Sequence, residues 1–317
     1  MCRILGYFGN KKIEQNTLYQ AIQYQINGGP DAQTLVHKNN WALANNRLAI
    51  QGLNGGKQPF MLKQTSAVYN GEIYNHREIK KELIEKGYKV DDCDGSVILP
   101  LYDLYGEDFV KYLDGMFAIA IIDEERGKKL ILAADNTGTK SLYYTIEEAS
   151  NTIFFASELE ALFSFPIKKE IRQEAINEYL IGRSMWWNKT FFKNIHALEP
   201  GSYLVKTLCN KAKISYYDSD HIAEYNGLNS NIEEEAPHLS YLLSNEIKKM
   251  LSADVPVCLV TSGGLDSSLL TAMAAQHLNK IECFNVAHDG NWSSDETKYA
   301  KEIAKRYGAQ YNQIVLK

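Results

Sequence analysis

Thr261-Ser262-Gly263-Gly264-Leu265-Asp266-Ser267-Ser268 follows a nearly continuous apolar run, 255–261, and opens a helical pattern, 267–278. An apolar run of that length reads as a parallel strand buried on both faces. A Gly-rich turn from such a strand into a helix gathers backbone N–H groups at the positive end of the helix, which makes an anion site. The two glycines let the main chain approach a phosphate, and the serine hydroxyls add donors. No Gly-x-x-x-x-Gly-Lys-Ser/Thr and no Gly-x-Gly-x-x-Gly occurs, so neither a Walker A loop nor a dinucleotide fingerprint is present. Outward from the loop, 239–251 reads as a helix, 281–287 as a second strand, 293–307 as a helix and 310–316 as a third strand. The helix at 293 carries a capping-box start, Ser293 with Glu296, and a stop at Gly308. Strand, helix, strand, helix, strand is part of a doubly wound parallel α/β domain.

Upstream the pattern differs. Residues 4–8, 41–48, 66–69, 117–122, 129–133, 142–145 and 152–156 are short β-branched or aromatic runs separated by Gly, Asn or Asp. Helices are expected at 75–86 and at 96–105, the second with Pro100 inside it or at its edge. This mixture predicts stacked sheets with flanking helices. The stretch 219–235 is polar and reads as a linker.

Composition narrows the function classes. The chain has 317 residues, enough for about two domains, and a net charge of −5. That charge argues against a protein that binds nucleic acid by neutralising phosphates. There is no apolar leader and no membrane-length apolar run, so a cytoplasmic protein away from membranes is expected. The five cysteines are scattered without zinc spacing. Cys93, Cys209, Cys258 and Cys283 read as buried small apolar residues.

Cys2 is different. If Met1 is removed, Cys2 carries a free α-amine beside its thiol. An α-amine titrates at roughly 7.7–8.0 and can take the thiol proton. One residue then supplies both nucleophile and base.

The loop at 261–268 matches the pyrophosphate loop of ATP pyrophosphatases, and the chain resembles the glutamine-hydrolysing asparagine synthetases. Asn70-Gly71-Glu72-Ile73-Tyr74-Asn75-His76 matches that family's glutaminase string. Gly29-Pro30-Asp31, Arg47-Leu48, Gln58-Pro59, Leu113-Asp114-Gly115-Met116-Phe117-Ala118, Phe155-Ala156-Ser157-Glu158, Leu198-Glu199-Pro200-Gly201 and Tyr216-Tyr217-Asp218 follow in the family's order. The resemblance implies an αββα N-terminal-nucleophile hydrolase domain over 1–210. It implies a linker over 211–236 and the first part of an ATP-binding synthetase domain over 237–317. By resemblance, Cys2 attacks the glutamine side-chain amide, and Asn70 with the N–H of Gly71 receives the oxyanion. Glycine suits position 71 because the backbone must approach the substrate. Arg47 would hold the glutamine carboxylate. Leu48, Ala49, Ile50 and Gln51 would line the pocket, and Glu72 and Asp94 would receive the amine and amide groups. Taken alone, Asn70-Gly71 also suits a hairpin turn and Asp94 a helix N-cap. His76 is expected on an exposed helix start, without a catalytic role. Thr261, Ser262, Gly263, Gly264, Leu265, Asp266, Ser267, Ser268 and Val286 would bind ATP, with Asp266 facing Mg²⁺. Asp295 and Glu296 read as ordinary first-turn acids.

Several positions depart from the family. Arg3 stands where glycine is usual, and Gly28 where an arginine precedes Gly-Pro-Asp. Ala134 replaces an arginine, Ser141 a proline, and Gly95-Ser96 a polar-acidic pair. A second Ser-Gly-x-Gly-x-Asp-Glu motif is not found between Ser268 and Lys317. The expectation is therefore that Lys317 ends a truncated or degraded product. The expected function is a glutamine-dependent amidotransferase that uses Mg-ATP and a carboxylate acceptor, aspartate first, with a homodimer as one assembly. The alternatives are an amide-forming ligase with another acceptor, or a glutaminase or regulatory remnant with a non-functional ATP domain.

Overall fold

The computed structural model describes residues 1–186, 188–217, 231–290 and 295–317. The chain divides into two units, Met1–Ala223 and Glu224–Lys317. The first unit is built from strands β1 (Arg3–Phe8), β2 (Ala32–His37), β3 (Trp41–Arg47), β4 (Phe60–Leu62), β5 (Thr65–Ile73), β6 (Gly115–Asp123), β7 (Lys129–Ala134), β8 (Tyr143–Glu147), β9 (Thr152–Ala156), β10 (Ile195–Ala197), β11 (Ser202–Thr207) and β12 (Lys213–Tyr216). They form two antiparallel sheets, in the orders β10-β8-β9-β1-β3-β2 and β12-β11-β7-β6-β5-β4.

The faces that these sheets turn towards each other explain their sequences. Ile4, Phe8, Leu43 and Phe155 from the first sheet pack with Val68, Ala120, Ile122, Leu132 and Leu204 from the second. Their alternate neighbours pack outward. Leu5, Tyr7 and Phe154 meet helices α1 (Gln15–Tyr24) and α4 (Leu159–Leu162). Ala67, Ile119 and Ile131 meet α2 (His76–Glu85) and α3 (Ile98–Tyr105). Both faces of both sheets are therefore apolar, and the strands read as continuous hydrophobic runs rather than alternating ones. Burying each Leu, Ile or Phe here contributes about 1.5–3 kcal/mol. The result is the αββα arrangement that the sequence implied.

Local details differ from expectation for identifiable reasons. The strand expected at 66–69 continues through Ile73, so Asn70-Gly71 lies inside β5 and not in a hairpin turn. Pro100 is the third residue of α3, where a missing N–H costs nothing because first-turn N–H groups have no helical partner. His76 is buried, its Nδ1 at 2.8 Å from the carbonyl of Ile73, rather than on an exposed surface. Cys93 and Cys283 are buried as expected, but Cys209 and Cys258 are exposed. Helix α5 (Gln173–Gly182) was not anticipated; it buries Ala175 and exposes Leu180 and Ile181.

The second unit contains α6 (Ile232–Met250), β13 (Leu259–Val260), α7 (Leu265–Ala274), β14 (Glu282–His288), α8 (Thr297–Arg306) and β15 (Gln310–Leu316). Its sheet is parallel, in the order β13-β14-β15, with Val260 opposite Phe284 and Cys283 opposite Tyr311. The strand expected over 255–261 shrinks to two residues and is not buried on both faces, since Val260 is 74% exposed. It is an edge strand paired only with β14 among the described residues. The linker expected over 211–236 is shorter at both ends. Residues 213–216 form β12, which bonds to β11, and α6 begins at Ile232, where Asn231 accepts a capping hydrogen bond from the Glu233 N–H. Ser293, the expected cap of the next helix, lies outside the described residues.

Candidate functional site

Cys2 directly precedes β1, and β1 pairs with β3 so that Arg3 lies opposite Asn46. That register brings the start of the chain to the end of β3. The Leu48 N–H donates to Cys2 Sγ at 3.3 Å, and the thiol lies 3.5 Å from the Leu48 carbonyl. Burial pushes the thiol pKa up, and the Leu48 N–H and the nearby chain amine oppose that shift. Burial, and then Arg3, push the amine of Met1 below the ordinary value for a chain terminus. The thiol is thus protonated near neutral pH, and it needs a base to become a nucleophile.

Asn70 and Gly71 lie on β5, in the other sheet. Asn45 joins the two sheets, because its side-chain amide reaches both the Arg3 carbonyl and the Tyr69 carbonyl at 3.4 Å. The outer edge of β5 is then defined residue by residue. Gln58 takes both main-chain groups of Tyr69, at 2.7 and 3.1 Å, and Asp94 Oδ2 accepts from the Ile73 N–H at 2.9 Å. Gly71 lies between them, opposite Phe117, whose own N–H and carbonyl face Asp135. By strand alternation the Gly71 N–H points away from β6, off the ladder. Asn70 is buried, its Oδ1 has no partner, and the residue lines a cavity of about 430 Å³ together with Arg3, Lys140 and Glu158. A buried unpartnered polar atom costs about 1–3 kcal/mol, and such atoms cluster where a site is held ready.

The reason for glycine at position 71 differs from expectation. A Cβ there would lie 2.1 Å from the Met116 carbonyl oxygen. Strand packing excludes the side chain, whatever the needs of a substrate.

Glu72 and Asp94 form an acid pair. Gln51 Nε2 donates to Glu72 Oε2 at 2.8 Å. Burial, and then the Asp94 charge, raise the Glu72 pKa to about 8. A buried carboxyl beside a second acidic side chain favours a cation brought next to it. Asp94 does not cap a helix; it opens a short 3₁₀ turn and terminates β5 through Ile73. Arg47, at the end of β3, donates to the carbonyls of Gln51 and Gly52 at 3.3 and 2.8 Å. It thereby holds the loop 48–52, while Ala49 is fixed by its N–H to Asp31 at 2.8 Å. Arg47 also lines a second cavity of about 520 Å³ with Asn45 and Gln58.

Sequence reading overlooked Lys140, Asn45 and Glu158 at this site. Lys140 is placed by Asp135, a buried carboxylate that accepts from the N–H groups of Phe117, Thr137, Thr139 and Lys140. The Asp135-x-x-Gly138 and Phe155-Ala156-Ser157-Glu158 stretches were the available signals. The unusual Gly95 also has a local reason, since a Cβ there would meet the Tyr69 ring at 2.2 Å.

In the second unit, Gly263 adopts φ +96°, and a Cβ on it would lie 2.3 Å from the Glu296 carbonyl. Ser262 and Ser267 hydroxyls are 3.0 Å apart, and Ser262 Oγ accepts from the Gly264 N–H at 3.2 Å. Thr261 is buried and its hydroxyl has no partner. Leu265 and Asp266 begin α7 and are exposed. The cradle of glycines, the orphan hydroxyl and the free amides at the start of α7 fit a polyphosphate. An adjoining cavity of about 490 Å³ is lined by Ser262, Val286, Asp295 and Glu296. Asp295 opens α8 as expected, its Oδ1 accepting from the Thr297 N–H at 2.9 Å, and with Glu296 it also faces this cavity. Among the described residues no group of three His, Cys, Asp or Glu side chains could hold a metal. Mg²⁺ would have to share its shell with phosphate oxygens, the usual manner for that ion.

Stacked antiparallel sheets with a cysteine at their edge are followed in the chain by a parallel α/β unit with a phosphate-type turn. The chain belongs to the glutamine amidotransferase domain family, whose model matches residues 1–217, and the model of the asparagine synthase domain matches 238–317. It is 27% identical to asparagine synthetase (glutamine-hydrolyzing) 3 of Bacillus subtilis, over 100% of this chain and 54% of that relative. It is 33% identical to asparagine synthetase (glutamine-hydrolyzing) 2 of the same organism, over 93% of this chain and 40% of that one. The amidase chyE of Penicillium rubens is 29% identical, over 90% of this chain and 44% of its own length. The chain spans about half the length of the curated relatives it matches. Among solved structures, the glutamine phosphoribosylpyrophosphate amidotransferase of B. subtilis, complexed with ADP and GMP, matches with a TM-score of 0.49 and 16% identity. That match covers 98% of this chain and 65% of the other. No described helix is long and apolar enough to cross a membrane.

Proposed function

We propose that the chain hydrolyses glutamine at Cys2 and that the ammonia serves an amide-forming ligation, with aspartate as the first candidate acceptor. The observation that carries this reading is that the Cys2 thiol lies against the Leu48 main chain within electrostatic reach of Glu72 and Arg47. The thiol rests on the Leu48 main chain, and the off-ladder Gly71 N–H and the Glu72–Asp94 acid pair lie on or beside β5. In this reading the amine freed by loss of Met1 takes the thiol proton as sulfur attacks the amide carbon. The Asn70 side-chain amide and Gly71 N–H stabilise the oxyanion, an effect of about 2.7–4 kcal/mol per donor. The Glu72–Asp94 pair takes the substrate α-ammonium, and Arg47 orders the loop that meets its carboxylate. The amine then returns its proton to the departing ammonia. Bound ATP would supply an activated phosphoryl–acyl link to the acceptor. In the second unit, Ser262, Gly263, Gly264 and the first amides of α7 would hold its phosphates, with Asp266, Asp295 or Glu296 beside Mg²⁺.

Glutamine hydrolysis by the purified chain tests the first half. Cys2→Ala should remove it, and equal rates in that variant would sink the assignment. Release of AMP and pyrophosphate in the presence of glutamine, ATP and aspartate tests the second half. Glutaminase activity without nucleotide binding would favour a remnant in place of a ligase.

A further inference from the structure

Arg3 is a departure whose consequence the structure makes visible. Its Nη1 donates to the carbonyls of Met1 and Cys2, at 2.9 and 3.1 Å, and its Nε pairs with Glu158 Oε1 at 2.5 Å. The side chain lies over Gly28, where a Cβ would come within 2.5 Å of Arg3 Cγ and 2.8 Å of Cζ. Glycine at 28 is therefore what gives the guanidinium its place. Glu158 is held just as firmly, because Ser157 beside it exchanges hydrogen bonds with both main-chain groups of Ile4, at 3.0 and 2.8 Å. The two charged side chains are 29% and 34% exposed. Ion pairs of that exposure add little to stability, so stability does not account for so constrained an arrangement. It lines the same cavity as Asn70 and Lys140.

We propose that Arg3 is a positioning residue for Cys2: it grips the carbonyl of the nucleophile and stands as a cation beside the amine that activates the thiol, while Glu158 limits the charge that the amine feels. This rests on the glutaminase reading above. Loss of Met1 removes one carbonyl partner of Arg3 and leaves the guanidinium on the carbonyl of the new first residue. A cation there favours the neutral amine, which is the form that accepts the thiol proton. At the amine of Met1, one residue away, Lys140 acts in the same sense as Arg3 and Glu72 opposes them. Arg3 and Glu158 are therefore opposed adjustments on one proton acceptor.

The test is the pH profile of glutamine kcat/KM for the full chain lacking Met1, with thermal melting and Cys2→Ala as controls. Arg3→Met should displace the acid limb to higher pH and lower the rate on that limb by roughly three- to tenfold. Glu158→Gln should displace the limb the opposite way. Arg3→Lys should keep the limb near its wild-type position while losing part of kcat, since an ammonium keeps the charge but not the fork. Gly28→Ala, which leaves Arg3 intact but takes its space, should move the limb in the direction of Arg3→Met. Wild-type hydrolysis that depends on Cys2, with superimposed profiles for Arg3→Met and Glu158→Gln in folded protein, would overturn the proposal and leave the glutaminase reading standing. Failure of the Cys2 control would strike the parent reading itself.

Discussion

At the scale of the residue, Glu72 shows how a site is held ready at a cost to the fold. In the unfolded chain its carboxyl ionises at the ordinary value, 4.5, and in the folded chain not until about 8. Between those values the folded state holds a proton that the unfolded state has released. Stability contributed by this group is therefore greatest at low pH and declines as pH rises through the window. Glu72→Gln should remove the decline. Its denaturant midpoint should exceed that of the wild type near pH 8 and match it near pH 4.5; coincident midpoints at both would contradict the assignment. Bound glutamine should restore the balance by placing its ammonium against the ionised pair, so its affinity for the wild type should rise as pH approaches 8. Glu72 was legible as a candidate through the string 70–76, and Asp94 only through the family resemblance. That the Glu72 pKa is raised was not legible, because it depends on burial and on the approach of the Asp94 charge from a distant segment.

At the scale of the element, β5 gathers three of the candidate site residues, Asn70, Gly71 and Glu72, on one strand. Tyr69, Gly71 and Ile73 face one edge, and Gln58 and Asp94 occupy the places on either side of Gly71. The strand was legible only as far as Tyr69, since Asn70-Gly71 carries a turn signature that tertiary pairing overrides. Gly71→Ala should cost about 2–4 kcal/mol of stability, from overpacking against the Met116 carbonyl. A urea midpoint unchanged from wild type would show that the strands part easily there. The element that failed most clearly is β13. A nearly continuous apolar run over 255–261 suggested a strand enclosed on both faces, but its neighbour β14 lies on one side only, and apolar runs alone do not report how many strands surround them.

At the scale of the molecule, the two units differ in how much apolar surface they close over. The first holds three extensive clusters, whereas the clusters of the second are built around Ile247, Met273 and Ala274 and around Ile281, Cys283 and Ala304. Val260, Leu265, Val286, Val315 and Leu316 of the second unit remain exposed. The second unit should therefore open first. Amides of β14 should exchange at lower denaturant than those of β5, and a fragment ending at Tyr217 should keep both six-stranded sheets. Simultaneous loss of protection in β5 and β14 would show a single cooperative unit instead. The two-part organisation, the αββα class, the phosphate-type turn and the candidacy of Cys2, Asn70, Gly71 and Glu72 were all legible before folding. These reside in local strings and periodicities, which the chain carries without folding. Tertiary structure alone decided that Asn45 joins the sheets, that burial beside Asp94 raises the Glu72 pKa, and that Arg3 rests over Gly28 on the carbonyl of Cys2. Those are contacts between residues remote in the chain, and their energies depend on distance and burial that exist only once the sheets have closed.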